Sequence, residues 1–310
     1  MRVTNGMMTA SFLNDLYKAN EKFLKYSKQF SSNKRILRPS DDPIGTTRAI
    51  RIRGDIAELD QFTKNVKDAQ TYLTQAETGL SQIDSKIYMR LTELSEQALD
   101  GIMEQDNLQS FADEARQLRD ELITIANTTC AGDYLFGGFN TTKAPFKVDE
   151  NGTLLYNGMD IVAGNDARMQ EEKDSVLTYK LANNVSFEIG YNGIDLMGTG
   201  EDNLYNVMTQ FIDELESGNF SNAGNFVEKF RQGQNHIISL EADIGAKQKR
   251  LEYMLERYED DSLNYEERRM DIEDIDQAEV ISNMQLAQTI YQATLQANSM
   301  ILQPTLLNYL

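Results

Sequence analysis

Apolar residues recur at Phe12, Leu16, Ala19, Phe23, Tyr26 and Phe30. Steps of four and three place them on one stripe of an amphipathic helix or coiled-coil strand. The polar SSNK at 31–34 interrupts the stripe. In RPSDDPIG at 38–45, Asp42 is a candidate N-cap and Pro43 fits the first helical position, where its missing N–H is no loss. A longer stripe then runs without a miss through Leu59, Phe62, Val66, Ala69, Leu73, Ala76, Leu80, Ile83 and Ile87, about 40 Å of helix. GIMEQDN at 101–107 breaks it, and Leu108, Phe111, Ala115, Leu118, Leu122 and Ile125 mark another helix.

Between 133 and 200 the pattern changes. DENG at 149–152, Asn157-Gly158 and Asn192-Gly193 separate short runs such as FKV, TLLY, VLTYKL and VSFEIGY, which predict hairpins of a small β domain. Helix returns in DNLYNVMTQFIDELESGN, ending near Gly218. A very long helix follows, with Ile237, Leu240, Ile244, Leu251, Met254, Tyr258, Tyr265, Ile272 and Ile275 on its seam, although Lys247, Asp261 and Arg268 also fall there.

The last segment carries two stripes. One is Val280, Met284, Ala287, Tyr291, Thr294 and Ile301; the other is Leu286, Ile290, Ala293, Ala297 and Met300. A helix apolar on both sides must be buried on both sides. Contacts with neighbouring subunits as well as with the N-terminal helix are therefore expected.

The predicted fold is mainly α with an inserted small β domain, the N- and C-terminal thirds forming a long antiparallel helical bundle or coiled coil. The expected parts are an N-terminal assembly helix and turn (1–42), an ascending rod (43–132), the β insert (133–200), a return rod (201–275) and a C-terminal assembly helix (276–310).

Composition narrows the function. With 49 acidic against 30 basic residues the net charge is −19, which disfavours nucleic acid and anionic membrane surfaces as partners. No apolar run approaches the ~20 residues that span a bilayer. MRVTNGMMTASFLNDL lacks the cationic start and unbroken apolar stretch of a secretory signal, so export, if any, is expected to use no cleaved signal of that kind. A single cysteine, Cys130, and a single histidine, His236, leave no framework for a disulfide, a zinc site or a histidine-assisted nucleophile. Four prolines suit long helices. No phosphate-binding glycine motif occurs, and the acidic run at 256–276 lacks the spacing of a calcium loop. The expectation is a non-enzymatic chain without metal or cofactor.

YLFGGFNTTKAPF at 134–146 stands where helix gives way to the β insert. Gly137 and Gly138 are expected to turn the chain out of the helix through conformations closed to other residues. Tyr134, Phe136, Phe139 and Phe146 are expected to pack the base of the insert against the rod.

The start MRVTN, the segment FSSNKRILRPSDDPIGTTRA and the end LQATLQANSMILQPTLLNYL resemble the terminal regions of the bacterial flagellin family. GAKQKRLE at 245–252 is similar to its GA-x-x-x-R-L signature. RPSDDP, YLFGGFNTTKAPF and the closing LLNYL are most similar to the branch that joins hook to filament. One departure is Asn33, in place of a glycine at a turn that often needs positive φ, which Asn tolerates. The resemblance covers about two-thirds of the chain. It implies export through the flagellar type III apparatus, termini that order on assembly, and localisation outside the cell at the hook–filament junction. Implied partners are further copies in a ring, a neighbouring hook-associated junction protein, flagellin, and an export chaperone on the C-terminal segment. Phe12, Leu16, Phe23, Tyr26 and Phe30 are then expected to face Met284, Leu286, Ile290, Tyr291, Leu295 and Ile301 in the assembly interface. The alternative within the family is a short flagellin that builds the filament itself. A metallopeptidase-bearing relative would need an HExxH motif, which one histidine excludes.

Overall fold

A computed structural model of the chain describes residues 5–99, 105–150, 152–162, 176–218 and 223–301. The chain divides into two compact units, one of residues 1–59 with 259–310, the other of residues 60–258. The predominance of helix and the inserted strands agree with the fold class expected from the sequence.

Within residues 60–258 the core is built on the long stripe. Helix α2 (Pro43–Gln82) buries Val66, Ala69, Leu73, Ala76 and Leu80. Facing them are Ile237, Ile244, Leu251 and Tyr258 of α7 (Ala223–Glu273). The pairing is antiparallel: the Phe62 ring lies 6.5 Å from that of Tyr258, and Gln248 Nε2 donates to Glu77 at 2.8 Å. Small Ala69 and Ala76 alternating with Leu73 and Leu80 let one helix's side chains seat between those of the other.

The stripe does not stay α-helical to its end. Ile83–Tyr88 forms a π-helical turn before α3 (Met89–Leu99). Widening the helix by one residue per turn puts neighbouring Ile87 and Tyr88 both inward, and shifts the buried face to Leu91, Leu94, Ser95 and Ala98. Tyr88 seats against Gly233, where an added Cβ would lie 2.5 Å from the tyrosine oxygen. A glycine in the partner helix thus makes room for the ring that the π turn drives inward.

Helix α4 (Gln105–Ala126) packs on α6 (Leu204–Ser217) through Ala112, Ala115 and Leu122 and through Val207, Met208 and Phe211. Asn203 caps α6 by accepting from Tyr205 N, and Gly218 closes it in a left-handed conformation with φ 67°. Phe211, Phe226 and Phe230 form an aromatic cluster with centroids 5.4–6.4 Å apart.

The strands form small antiparallel sheets rather than one. β1 (Thr129–Cys130) pairs with β2 (Asp133–Tyr134). β3 (Phe146–Val148), β4 (Leu154–Tyr156) and β5 (Met159–Asp160) make a three-stranded sheet. β6 (Thr178–Ala182) pairs with β7 (Val185–Glu188). Asn157-Gly158 is the predicted tight turn, with φ of 49° and 81°. Asn192-Gly193 is not a turn. Asn192 is extended and starts the short helix α5 (Gly193–Met197). Gly193 lies so close to Phe146 and Tyr156 that a Cβ would sit 2.3 and 2.5 Å from their rings. The hairpin between β6 and β7 instead turns at Asn184, φ 64°.

The exit from helix also differs from the expectation for Gly137 and Gly138. Helix α4 ends at Ala126, and the first reversal is made by Ala131 and Gly132, φ 54° and 100°. Cys130 is half-buried in β1. The two glycines shape a later, tighter loop for separate reasons. Gly138 is left-handed, φ 65°. Gly137 is not, but a Cβ there would lie 2.4 Å from the Asn140 carbonyl oxygen.

Around that loop the main chain is held by side chains. Tyr72 of α2 donates to Leu135 O at 2.5 Å, Tyr156 to Phe136 O at 3.2 Å, and Asn157 Nδ2 to Gly137 O at 3.2 Å. Asn127 grips Phe146 at both its N–H and its carbonyl. Phe136 and Phe146 are fully buried, and Phe136 rests on Gly79 of α2. Tyr134 is half-buried. Phe139 is not packed: it is 77% exposed, because the Gly137–Gly138 turn directs it away from the core.

Replacing Gly193 with Ala must push its Cβ into two ring edges that are themselves buried, so Gly193→Ala is expected to cost about 1–3 kcal/mol. Phe139→Ala should stay within about 0.5 kcal/mol of the parent. Denaturant unfolding of the two variants side by side checks both.

Candidate assembly interface and the turn beside it

The remaining unit, residues 1–59 with 259–310, carries the terminal helices. α1 (Asn5–Ser32) packs against α8 (Gln277–Ile301). Ala19 of α1 and Val280 and Ala287 of α8 are buried. Phe12, Leu16, Phe23 and Tyr26, and on α8 Met284, Tyr291 and Thr294, are half-buried.

The other apolar stripe of α8 is left outside. Leu286 is 59% exposed and Ile290 48% exposed, and Leu295 is exposed as well. On α1, Phe30, Leu13, Tyr17 and Leu24 are likewise exposed. Exposed as they are, Leu286 and Ile290 still border the groove that α8 forms with α1, opposite Ala19 and Tyr26, whereas Leu295 does not line it. Small Ala287, buried on α8, lets the helices approach, and Leu286 and Ile290 flank it at the edge of the contact. A groove of about 290 Å³ remains between the helices, walled by Tyr26, Ala19, Leu286, Ala287, Ile290 and Thr294. The side chain of Ile301 lies outside the described residues.

The chain between α1 and α2 is a braced turn. Asn33 adopts φ 56°, the left-handed conformation expected of it, and its side-chain oxygen accepts from Gln277 Nε2 at 3.2 Å. Asp41 accepts from the N–H groups of Leu37 and Arg38. Asp42 caps α2 as the sequence predicts, accepting from Gly45 N at 2.8 Å, with Pro43 as the first helical residue.

At the centre stands Glu273, the last residue of α7, whose side chain is 4% exposed. Lys34 Nζ reaches it at 2.6 Å and Arg53 Nη2 at 2.7 Å. Arg35 N donates to Glu273 O at 2.6 Å, and the Arg35 guanidinium donates to Ile272 O at 2.8 Å. The terminal carbonyls of α7, which have no partner within their own helix, are therefore taken up by Arg35, a cation at the negative end of the helix dipole. Burial opposes ionisation of Glu273, but hydrogen bonds from Arg53 and Lys34 outweigh it and hold the carboxyl below its usual 4.5. Immediately afterwards Asp276 caps α8, accepting from Ala278 N and Glu279 N. Sequence reasoning placed Asn33 and Asp42 but not Glu273, because nothing in an acidic run marks which carboxylate will be buried.

The arrangement is a pair of two-faced helices joined to a charged brace. Two family descriptions match the chain: the bacterial flagellin N-terminal helical region over residues 3–141, and the bacterial flagellin C-terminal helical region over 227–310. The chain belongs to the bacterial flagellin family. Among its relatives in that family, flagellar hook-associated protein 3 of Escherichia coli (strain K12) is 27% identical over 316 residues, covering 96% of each chain. Flagellin of Bacillus subtilis (strain 168) is 26% identical over 305 residues, covering 95% of this chain and 94% of its own. A solved structure described as a putative flagellar hook-associated protein from Vibrio parahaemolyticus superposes with a TM-score of 0.65 at 18% identity. It covers 76% of this chain and 100% of that one.

Because the folded-state pKa of Glu273 is lowered, its contribution to stability is complete above 4.5 and is lost as pH falls through the lower folded value. Glu273→Gln is expected to lose about 1–3 kcal/mol at neutral pH. The gap between variant and parent should narrow on acidification below 4.5; an unchanged gap in acid would show that the charge is not what matters.

Proposed function

We propose that this chain is a non-enzymatic structural component of the bacterial flagellum, acting at the junction between hook and filament. The observation that carries the reading is likeness to hook-associated protein 3 along almost the whole of both chains, terminal helices and central region together. The family's helical descriptions alone would fit any member.

The physical mechanism is burial on assembly. In the single chain α1 and α8 satisfy one face each, and Leu286, Ile290 and Leu295 remain in water. At ~25 cal/mol per Å² of apolar surface removed, each such side chain contributes about 1 kcal/mol when a neighbour covers it. That small gain outweighs the ordering cost only when many copies repeat it. The function therefore involves a ring of copies at the distal end of the hook, bounded by another junction protein on one side and flagellin on the other. Export would proceed through the flagellar type III apparatus without a cleaved signal, with a chaperone on the C-terminal segment. A lone cysteine suits passage of an unfolded chain.

A second reading, a short flagellin that forms the filament, is favoured by the nearly equal likeness to Bacillus subtilis flagellin.

Leu286→Asp with Ile290→Asp should leave the thermal unfolding of the isolated chain within a few degrees of the parent, since both residues are exposed. The same pair should abolish incorporation into flagella, seen by immunogold electron microscopy. Deleting the gene separates the two readings. Bare hooks with flagellin shed into the medium indicate a junction component, bare hooks with no other flagellin in the medium indicate the filament subunit, and normal filaments exclude both.

A further inference from the structure

Charge is segregated along this chain in a way its net value of −19 conceals. Residues 1–59 hold 11 basic and 6 acidic side chains, whereas residues 259–310 hold 2 basic and 10 acidic. After Glu279 there is no charged side chain at all. The terminal unit therefore has one basic and one acidic arm.

Each arm exposes an apolar stripe edged by its own sign of charge. On the first turns of α2, Ile44, Arg48 and Arg51 fall at i, i+4 and i+7. Ile44 is 70% exposed, the two arginines are exposed, and all three line one shallow groove with Pro43 and Thr47. Near the end of α7, Leu263, Glu267 and Met270 repeat the same spacing. Leu263 is 67% exposed, Met270 is exposed, and Asp260 extends the stripe by one turn. Neither Arg48, Arg51 nor Glu267 forms an ion pair among the described residues. A surface isoleucine or leucine alone needs no explanation. Two stripes of equal spacing and opposite charge, each with exposed apolar side chains beside its charges, are a complementary pair.

We propose that the start of α2 in one copy docks on the outer face of α7 near its C-terminal end in a second copy of this chain, with Ile44 against Leu263 and Met270 and with Arg48 and Arg51 against Asp260 and Glu267. The occupant is a second copy because both halves of the pair lie on one polypeptide at equal spacing. A contact between two different patches of identical subunits is head-to-tail, and repeats until it closes into a ring or extends as a helix. Arginine suits this use, since its planar fork meets a carboxylate through two hydrogen bonds while its stem covers apolar surface. The inference rests on the reading above that copies assemble side by side, and it names the surfaces that direct them.

The test is charge exchange in cells whose only copy of the gene is the variant. Arg48→Glu with Arg51→Glu places acid against acid, and Asp260→Arg with Glu267→Arg places base against base. Each pair is expected to lower the fraction of cells bearing filaments about tenfold or more, because like charges facing across an interface cost several kcal/mol. Combining all four substitutions restores the opposite-sign pairing and should recover filaments to within a few-fold of the parent. Circular dichroism melting of the purified variants, all altered at exposed positions, separates docking from folding. If each pair alone leaves filaments intact, or the combination is no better than the worse pair, the docking is wrong. The gene deletion tests the assembly reading independently: filaments lost on deletion but untouched by the charge reversals would remove this surface and leave that reading standing.

Discussion

Helices α1 and α8 cannot bury each other completely, and much else in this chain follows from that constraint. Two helices have one mutual face. Here the buried apolar side chains, among the described residues, are Ala19, Ala287 and Val280, while larger ones such as Phe23, Tyr26, Met284 and Tyr291 are half-covered. Leu286 and Ile290 of α8 border the groove beside that contact and stay exposed to water, as do Leu295 of α8 and Leu13, Tyr17 and Leu24 of α1. In a chain selected only for its own stability such a surface would be a liability. In the proposed assembly it is the means of association. The absence of charge after Glu279 fits that proposal, since a charge there would have to be desolvated in every copy.

The terminal pair needs a firm attachment, and the braced turn supplies it. Burying Glu273 is costly by itself, and two cations and the adjoining main chain offset that cost. The bridge has a positional role that an apolar contact would lack. Lys34, Arg35 and Arg53 each reach a fixed atom at the end of α7, so the path from α1 into α2 is set relative to the start of α8. Such directionality is the usual benefit of a buried ion pair, more than net stability.

The strands illustrate a different dependence. Sheets of two and three short strands are marginal alone. In residues 60–258 they are held by hydrogen bonds from neighbouring side chains to strand and loop carbonyls: Tyr72 to Leu135, Tyr258 to Leu181, and Asn65 to Lys180 at 2.7 Å. Tyr191 adds a further tie, donating to Asp243 at 2.7 Å beneath the Lys247 ammonium, and burial together with that bond pushes its pKa up. The helices thus act as the missing sheet partners, which explains why strands so short persist.

What the sequence determined by itself is whatever depends on near neighbours along the chain. The three-four stripe from Leu59 to Ile87, the Asp42–Pro43 helix start, the left-handed Asn33 and the Asn157-Gly158 turn all express local rules of period, capping and backbone sterics. What only the tertiary structure decided depends on which distant surface lies alongside. The π turn at 83–88 exists where Tyr88 meets Gly233, 145 positions away. Gly193 is required by the rings of Phe146 and Tyr156 and not by any turn. Phe139 reads as a core residue from its composition and neighbours, yet the path of the Gly137–Gly138 loop turns it to solvent. The two stripes of α8 were visible in the sequence as a need for two partners. Which side chains of the two stripes α1 covers is a property of two helices side by side that neither helix encodes alone.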